Sequence, residues 1–350
     1  MSERVLMKGN EALAEAAISA GCKCFFGYPI TPQTEISAYL SKRLPKVGGV
    51  FLQAESEIAA INMVYGCAGT GTRCMTSSSS PGISLKSEGL SYIAGADLPC
   101  VVINVQRGGP GLGGIQPSQA DYWQATRALG HGDFHVIVLA PSTVQEMADL
   151  VTRAFDLADE YRMPVMLLAD GLLGQMMEPV VFKKREENGK SFDKSWAANG
   201  HGGKRKHNII NSLYLEATEL EEKIHERFKR YDEIKAKHTM AESYMTDDAD
   251  VIIAAYGSTA RLARTAAEKA RSLGIKAGVF RPITLYPFPV NELREATKTA
   301  KRVLVCEMSM GQMVDDVRLA LECKIPVDFF GRTGGIIPKP EEILEKLKGV

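Results

Sequence analysis

Short apolar runs alternate with longer helical segments through the first half of this 350-residue chain, and the alternation restarts near Asp248. Cys24-Phe25-Phe26, Arg73 to Ser77, Cys100 to Val105, Val136 to Leu139 and Pro164 to Leu168 read as strands. Between them lie an alanine-rich helix from Gly9 to Ala20 with Asn10 as its N-cap, and helices from Glu55 to Ala68 and Ser84 to Ala94. A longer helix from Pro141 to Tyr161 can be capped by Ser142 or Thr143. Strands separated by helices pair in parallel, because the helix is the crossover, and a parallel sheet needs cover on both faces. The fold class expected is therefore α/β.

The alternation breaks after residue 182. Lys183 to Gly203 is polar, charged and rich in Gly, Asn and Lys, and reads as an exposed excursion. Leu213, Leu220, Ile224, Phe228, Tyr231 and Ile234 then recur at helical spacing, as in an amphipathic helix docked on a neighbour. A second unit starts at Asp248: strand Val251 to Ala255, helix Thr259 to Ser272, and strands Ala277 to Phe280, Arg302 to Cys306 and Val327 to Phe329. Arg281 to Pro289 reads as a long proline-punctuated loop. Three parts result: 1–182, a connecting 183–247, and 248–350.

Composition narrows the function. Forty-two basic and 42 acidic residues cancel, which gives no electrostatic pull toward nucleic acid or an anionic membrane. No apolar run is long enough for a bilayer span, and the first residues show no signal-peptide core, so the cytoplasm is the expected compartment. Seven scattered cysteines form no CxxC pair, which fits reduced thiols and no cluster or zinc held by this chain. Cys22 and Cys24 are read as sharing one face of a strand. His131, Asp133 and His135 lack a third placed ligand and read as loop residues.

Tyr28-Pro29-Ile30-Thr31-Pro32 follows the strand at Cys24. Two prolines around a threonine make a stiff turn, and a stiff turn between a strand and a helix is where α/β proteins hold small ligands. This pentapeptide resembles the signature of the 2-oxoacid:ferredoxin oxidoreductases, which use thiamine diphosphate. The resemblance covers most of the chain and is to their alpha subunits. Arg107-Gly-Gly-Pro-Gly, followed by Gln116-Pro117-Ser118-Gln119-Ala120-Asp121, looks most like the branched-chain (2-oxoisovalerate) type. It implies a pyrimidine-binding domain for residues 1–182 and a transketolase C-terminal-like domain for 248–350.

The resemblance also implies roles. A glutamate at a helix start should hydrogen-bond N1′ of the coenzyme's pyrimidine and favour the tautomer that takes the C2 proton. Glu55 and Glu57 compete as first-turn carboxylates; Glu57, followed by small residues Ala59, Ala60 and Gly66, matches the family pattern. Thr31 and Arg107 would hold the 2-oxoacid, a guanidinium at a strand end suiting a carboxylate. Tyr28, Pro29, Ile30, Ser79 and Ser80 would line the coenzyme cleft, although Ser80 before Pro81 departs from the family's Ser/Thr-Gly-Pro-Gly loop. Gly109, Gly111 and Gly114 match G-x-G-x-x-G, but no helix opens inside the motif, and Lys86 stands too far on for a Walker lysine.

No Gly-Asp-Gly…Asn motif is present, so Mg2+ and the diphosphate would be held by a beta subunit, and 4Fe–4S clusters by beta or delta chains alongside a gamma subunit. The implied reaction converts a 2-oxoacid and coenzyme A to acyl-CoA, carbon dioxide and reduced ferredoxin, in the assembled complex only. Pyruvate or 2-oxoglutarate types, an E1 beta-type dehydrogenase subunit acylating a lipoyl domain, and a non-catalytic scaffolding subunit are the alternatives.

Overall fold

The computed structural model describes residues 4–127, 129–182 and 191–349. Part of the polar segment at 183–203 thus lies outside the described residues. The first half contributes strands β1 (Val5–Lys8), β2 (Cys24–Gly27), β3 (Val50–Gln53), β4 (Cys74–Ser78), β5 (Cys100–Gln106), β6 (Ile137–Leu139), β7 (Pro164–Asp170) and β8 (Met177–Val180). The second contributes β9 (Ala241–Tyr244), β10 (Val251–Ala254), β11 (Ala277–Pro282), β12 (Thr284–Tyr286), β13 (Arg302–Glu307) and β14 (Val327–Gly331).

A seven-stranded sheet runs β12-β6-β7-β5-β4-β2-β3, parallel except at the β12 edge. Its central strands β4, β5 and β7 are buried at every residue, as expected of a sheet covered on both faces. Helices Gly9–Ser19, Thr34–Arg43 and Val144–Tyr161 cover one face; Glu57–Gly69 and Pro81–Gly95 contribute to the core on the other. A five-stranded sheet, β14-β13-β10-β11-β9, is parallel apart from β9. The α/β architecture is thus one doubly covered sheet joined to a second, smaller one. β1 and β8 form a separate antiparallel pair.

Several expectations need correction. Arg281 to Pro289 is not a plain loop: β11 extends to Pro282, and Thr284–Tyr286 crosses back as β12 to pair antiparallel with β6. Asn10 does not cap the first helix. The N-cap is Lys8, and Asn10 sits inside the helix, fully buried, with its amide reaching the proline turn. Cys22 precedes β2 rather than lying on it, and its thiol donates to the Cys24 carbonyl. Of the helical stripe from Leu213 to Ile234, Leu213 lies outside the helix Ala217–His238, whose buried residues are Arg227, Tyr231 and Ile234.

Thr143 caps Val144–Tyr161 by accepting from the Glu146 N–H at 3.0 Å. Glu146 also accepts from the Ser142 N–H at 2.8 Å, one residue before the cap, which ties the entering chain to the first turn. The two halves share one apolar core. Tyr256, Phe280, Leu293, Val305 and Met313 pack in the same cluster as Ile61, Leu90, Val102 and Leu168.

Candidate functional site

Polar residues gather at the carboxyl ends of β4 and β5. β4 ends in Thr76, Ser77 and Ser78; β5 carries Asn104 and Gln106 and runs into Arg107. All are buried. In a parallel sheet this end, where the connections to the following helices begin, is the ligand-binding edge.

Glu57 opens the helix Glu57–Gly69, with Ser56 as N-cap accepting from the Ala59 N–H. Glu57 is only 6% exposed, whereas Glu55, two residues earlier and outside the helix, is exposed. Gly82 accounts for the close fit. A Cβ there would stand 2.6 Å from Glu57 Oε1 and clash with Ser78 Oγ, so the absence of a side chain leaves the carboxylate room against the next helix. The hydroxyls of Ser78 and Ser79 are buried without a hydrogen-bond partner among the described residues. Unpaired buried hydroxyls are costly unless something else meets them.

The proline turn is held by its carbonyls. Asn10 Nδ2 donates to Pro32 O at 2.8 Å, Gln33 Nε2 to Tyr28 O at 3.2 Å, and Arg107 Nη1 to Thr31 O at 2.9 Å. The Thr31–Pro32 bond is cis. Tyr28, Pro29 and Thr31 lie exposed at the rim, and Ile30 is half-buried. Arg107 and Thr31, far apart in sequence, are therefore neighbours. Arg107 Nη2 also donates to Leu112 O at 3.2 Å, while its buried Nε has no partner among the described residues.

Ser80 anchors the arginine from behind. Its backbone is strained, at φ +28°, a region that L residues rarely occupy. There its hydroxyl donates to Asp121 Oδ2 at 2.6 Å and accepts from the Arg107 N–H at 3.0 Å. Asn104 Nδ2 donates to the same Asp121 oxygen at 2.9 Å. Burial pushes the Asp121 carboxyl up; the Ser80 and Asn104 hydrogen bonds and the Arg107 charge oppose that rise. The glycine loop after Arg107 folds back on itself, Gly114 N to Gly108 O and Gly108 N to Gln116 O, and carries the exposed Leu112 and Ile115.

The structure thus brings Thr31 and Arg107 together, sets Ser80 behind Arg107, and sets Ser78 beside Glu57 on Gly82. Residues that sequence reading missed or gave another role are Asn10, Gln33, Asn104, Asp121 and Lys86. Their signal was weak: each is a polar residue in or beside a helix or strand with no distinguishing spacing. His131 hydrogen-bonds Ser91 and His135 stacks on Tyr286, so these two are separately engaged. Among the described residues no group of three His, Cys, Asp or Glu side chains is placed to hold a metal, and no helix is long and apolar enough to cross a membrane. A cavity of about 520 Å3 lies elsewhere, beside Ser142 and Tyr244. Its arginines are already paired: Arg261 with Glu178, Arg264 with Glu242, Arg281 with Glu146 and Glu242.

Two family models match the chain: "Pyruvate flavodoxin/ferredoxin oxidoreductase, thiamine diP-bdg" over residues 15–258, and "Pyruvate:ferredoxin oxidoreductase core domain II" over 249–343. Ketoisovalerate oxidoreductase subunit VorB of Methanothermobacter thermautotrophicus is 48% identical over 99% of this chain and 97% of its own length. 2-Oxoglutarate synthase subunit KorA of Methanothermobacter marburgensis is 38% identical over the full length of both. Among solved structures, the 2-oxoglutarate:ferredoxin oxidoreductase of Magnetococcus marinus superposes with a TM-score of 0.87 at 28% identity, covering 99% of this chain. This chain spans 65% of that protein's length. A split-gene transketolase superposes with a TM-score of 0.61 at 15% identity, a likeness of fold alone. The chain belongs to the family of thiamine diphosphate-dependent 2-oxoacid:ferredoxin oxidoreductase subunits.

Proposed function

We propose that this chain is the alpha subunit of a branched-chain 2-oxoacid:ferredoxin oxidoreductase, converting a 2-oxoacid such as 2-oxoisovalerate, with coenzyme A, to acyl-CoA, carbon dioxide and reduced ferredoxin. The observation that carries the reading is the buried Glu57 carboxylate, given room by Gly82, on the same strand-end edge as Arg107 and Thr31. When bound, thiamine diphosphate supplies a nucleophilic carbon that adds to the ketone and accepts the electrons left by decarboxylation. Glu57 would meet N1′ of the pyrimidine and move the proton there. Ser78 and Ser79 would offer their free hydroxyls to the ring, with Tyr28, Pro29, Ile30 and Ser80 shaping the wall. Arg107 Nε and the Thr31 hydroxyl would hold the substrate carboxylate, and Leu112 and Ile115 offer apolar contact to a branched side chain.

A partner beta subunit would hold the diphosphate and Mg2+. Val50, Leu52, Ile58, Leu85 and Tyr92 are exposed apolar residues on elements around Glu57, an area that suits a partner chain. Gamma and delta subunits with 4Fe–4S clusters would carry electrons to external ferredoxin. The higher identity to VorB than to KorA favours a branched substrate over 2-oxoglutarate.

The test is the co-expressed complex assayed with a 2-oxoacid panel and a viologen acceptor. Branched 2-oxoacids should give the highest kcat/KM, and Glu57→Gln should lower kcat by about 10^2–10^4-fold. Turnover by the purified chain alone, preference for a lipoyl acceptor, or full activity of Glu57→Gln would reject the reading. The last outcome indicates a scaffolding subunit.

A further inference from the structure

Asp121 stands at the N-cap position of the short helix Tyr122–Thr126, where an aspartate ordinarily spends its side chain on the first free N–H groups of the helix. Here it makes no such bond. Its Oδ2 accepts instead from the Ser80 hydroxyl at 2.6 Å and from Asn104 Nδ2 at 2.9 Å. One donor comes from the turn after β4 and the other from β5, so the carboxylate serves the strand-end edge rather than its own helix.

Both donors lead to Arg107. Asn104 Oδ1 accepts from the Ser80 N–H at 3.2 Å, which leaves the amide nitrogen of Asn104 for Asp121. Ser80 Oγ accepts from the Arg107 N–H at 3.0 Å and has a single proton to give. Of its two acceptors, Asp121 Oδ2 is the closer, since the Arg107 carbonyl stands at 3.2 Å, and a carboxylate makes the stronger bond. Ser80 needs such partners, because a backbone held at φ +28° persists only where its surroundings fix it. The other side of Asp121 is fixed by the second half of the chain. Gln312 Nε2 donates to Ala120 O at 2.8 Å, and Gln312 Oε1 accepts from the Trp123 N–H at 2.8 Å, so one amide side chain brackets Asp121 and Tyr122. Gln312 is itself tied, its N–H donating to the buried Glu307 carboxylate at 3.1 Å. The Tyr122 hydroxyl donates to Asp316 Oδ2 at 2.6 Å, and the Asp121 N–H to Gln106 Oε1 on β5 at 3.1 Å.

We propose that Asp121 is a positioning residue for Arg107: its carboxylate holds Ser80 in the backbone conformation from which the serine hydroxyl fixes the Arg107 N–H, and so sets the guanidinium against Thr31 for the 2-oxoacid carboxylate. The inference rests on the role given to Arg107 above. Removing the acceptor at 121 frees the Ser80 hydroxyl to turn to the Arg107 carbonyl and lets the strained backbone relax. The arginine then loses the contact that fixes it from behind, while the Thr31 and Leu112 carbonyls in front remain.

The experiment compares steady-state kinetics and unfolding midpoints of the assembled complex carrying Asp121→Leu, Asp121→Asn, Ser80→Ala, or Asp121→Leu and Ser80→Ala together. Asp121→Leu should raise KM for the 2-oxoacid by about tenfold, the scale of one charge-assisted hydrogen bond, with KM for coenzyme A unchanged and a smaller fall in kcat. Asp121→Asn keeps an oxygen acceptor for the Ser80 and Asn104 donors and should recover most of that loss. Because the aspartate acts through the serine, the double variant should raise KM no further than Asp121→Leu alone. A lowered unfolding midpoint with wild-type KM would show a merely structural aspartate, and additive effects of the two substitutions would show that Asp121 does not act through Ser80; either result overturns the proposal. If Asp121→Leu fails to assemble, Asp121→Ala is read by the same criteria. Arg107→Lys separates the two claims. If it leaves KM for the 2-oxoacid unchanged, the role of Arg107 fails; if it raises that KM while the Asp121 variants do not, only the role of Asp121 fails.

Discussion

Gly82 shows how little slack the site has. A methyl group there meets Glu57 Oε1 at 2.6 Å, and the helix backbone on one side and β4 on the other leave it nowhere to go. Gly82→Ala should displace the carboxylate, and because misplacement by about 1 Å costs on the order of 10^2-fold in rate, kcat should fall by about that factor. Overpacking should also cost about 1–3 kcal/mol in a denaturant titration. Arg107→Lys tests a different chemistry. A compact ammonium lacks the planar fork with which the guanidinium spans the Thr31 and Leu112 carbonyls while presenting Nε to a carboxylate. Steady-state kinetics of the complex should show KM for the 2-oxoacid rising tenfold or more with a smaller fall in kcat. Lys86 adds a pH signature of stability. Its folded-state value, lowered to about 8, lies below its ordinary 10.5, so between these pH values the unfolded chain binds more protons. Its charged form destabilises the fold at lower pH, and stability should rise through that window. The difference in unfolding midpoint between wild type and Lys86→Met should shrink as pH climbs from 8 to 10.5.

At the scale of elements, what could be read in advance depended on whether the cause was local. The helix Val144–Tyr161 is specified by its own Ser142-Thr143 start, and Thr143→Ala should cost about 1 kcal/mol, measurable as a lowered denaturation midpoint. The buried strands β5 and β7 announce themselves as apolar runs. β12 does not. Thr284-Leu285-Tyr286 is short and followed by Pro287, and becomes a strand only because β6, far back in the chain, leaves an edge for it. The same holds for Asn10. Its type and place suit a cap, but a carbonyl of the proline turn, brought near by the packing of the first two helices, claims its amide. Propensity is a weak prior against such long-range partners.

Across the whole molecule, one fully buried side chain, Gln119, ties the first half to the second. Gln119 Nε2 donates to Tyr256 O at 2.8 Å, and its Oε1 accepts from Thr259 Oγ1 at 2.7 Å and from the Met308 N–H at 3.0 Å. Gln119→Leu would strand those groups, and buried unsatisfied groups cost about 1–3 kcal/mol each. Global stability should drop by about 2–4 kcal/mol, seen as a lower urea midpoint; an unchanged midpoint would show that the halves do not depend on this joint. The linker helix Ala217–His238 docks on the first half, with Arg227 and Arg230 both on Asp97 and Tyr231 in its core.

The order of apolar runs, helices and stiff turns already dictated a doubly covered parallel sheet with its reactive residue types at the strand ends. Chain order alone puts the residues following each strand at the same edge. Which of two neighbouring glutamates is buried, that Arg107 lies on Thr31, that Ser80 accepts strain to tie Asp121, and that Lys86 turns inward were decided only when distant segments met. Burial and charge at a point are set by everything that packs around it, and that surrounding is written in no single stretch of the chain.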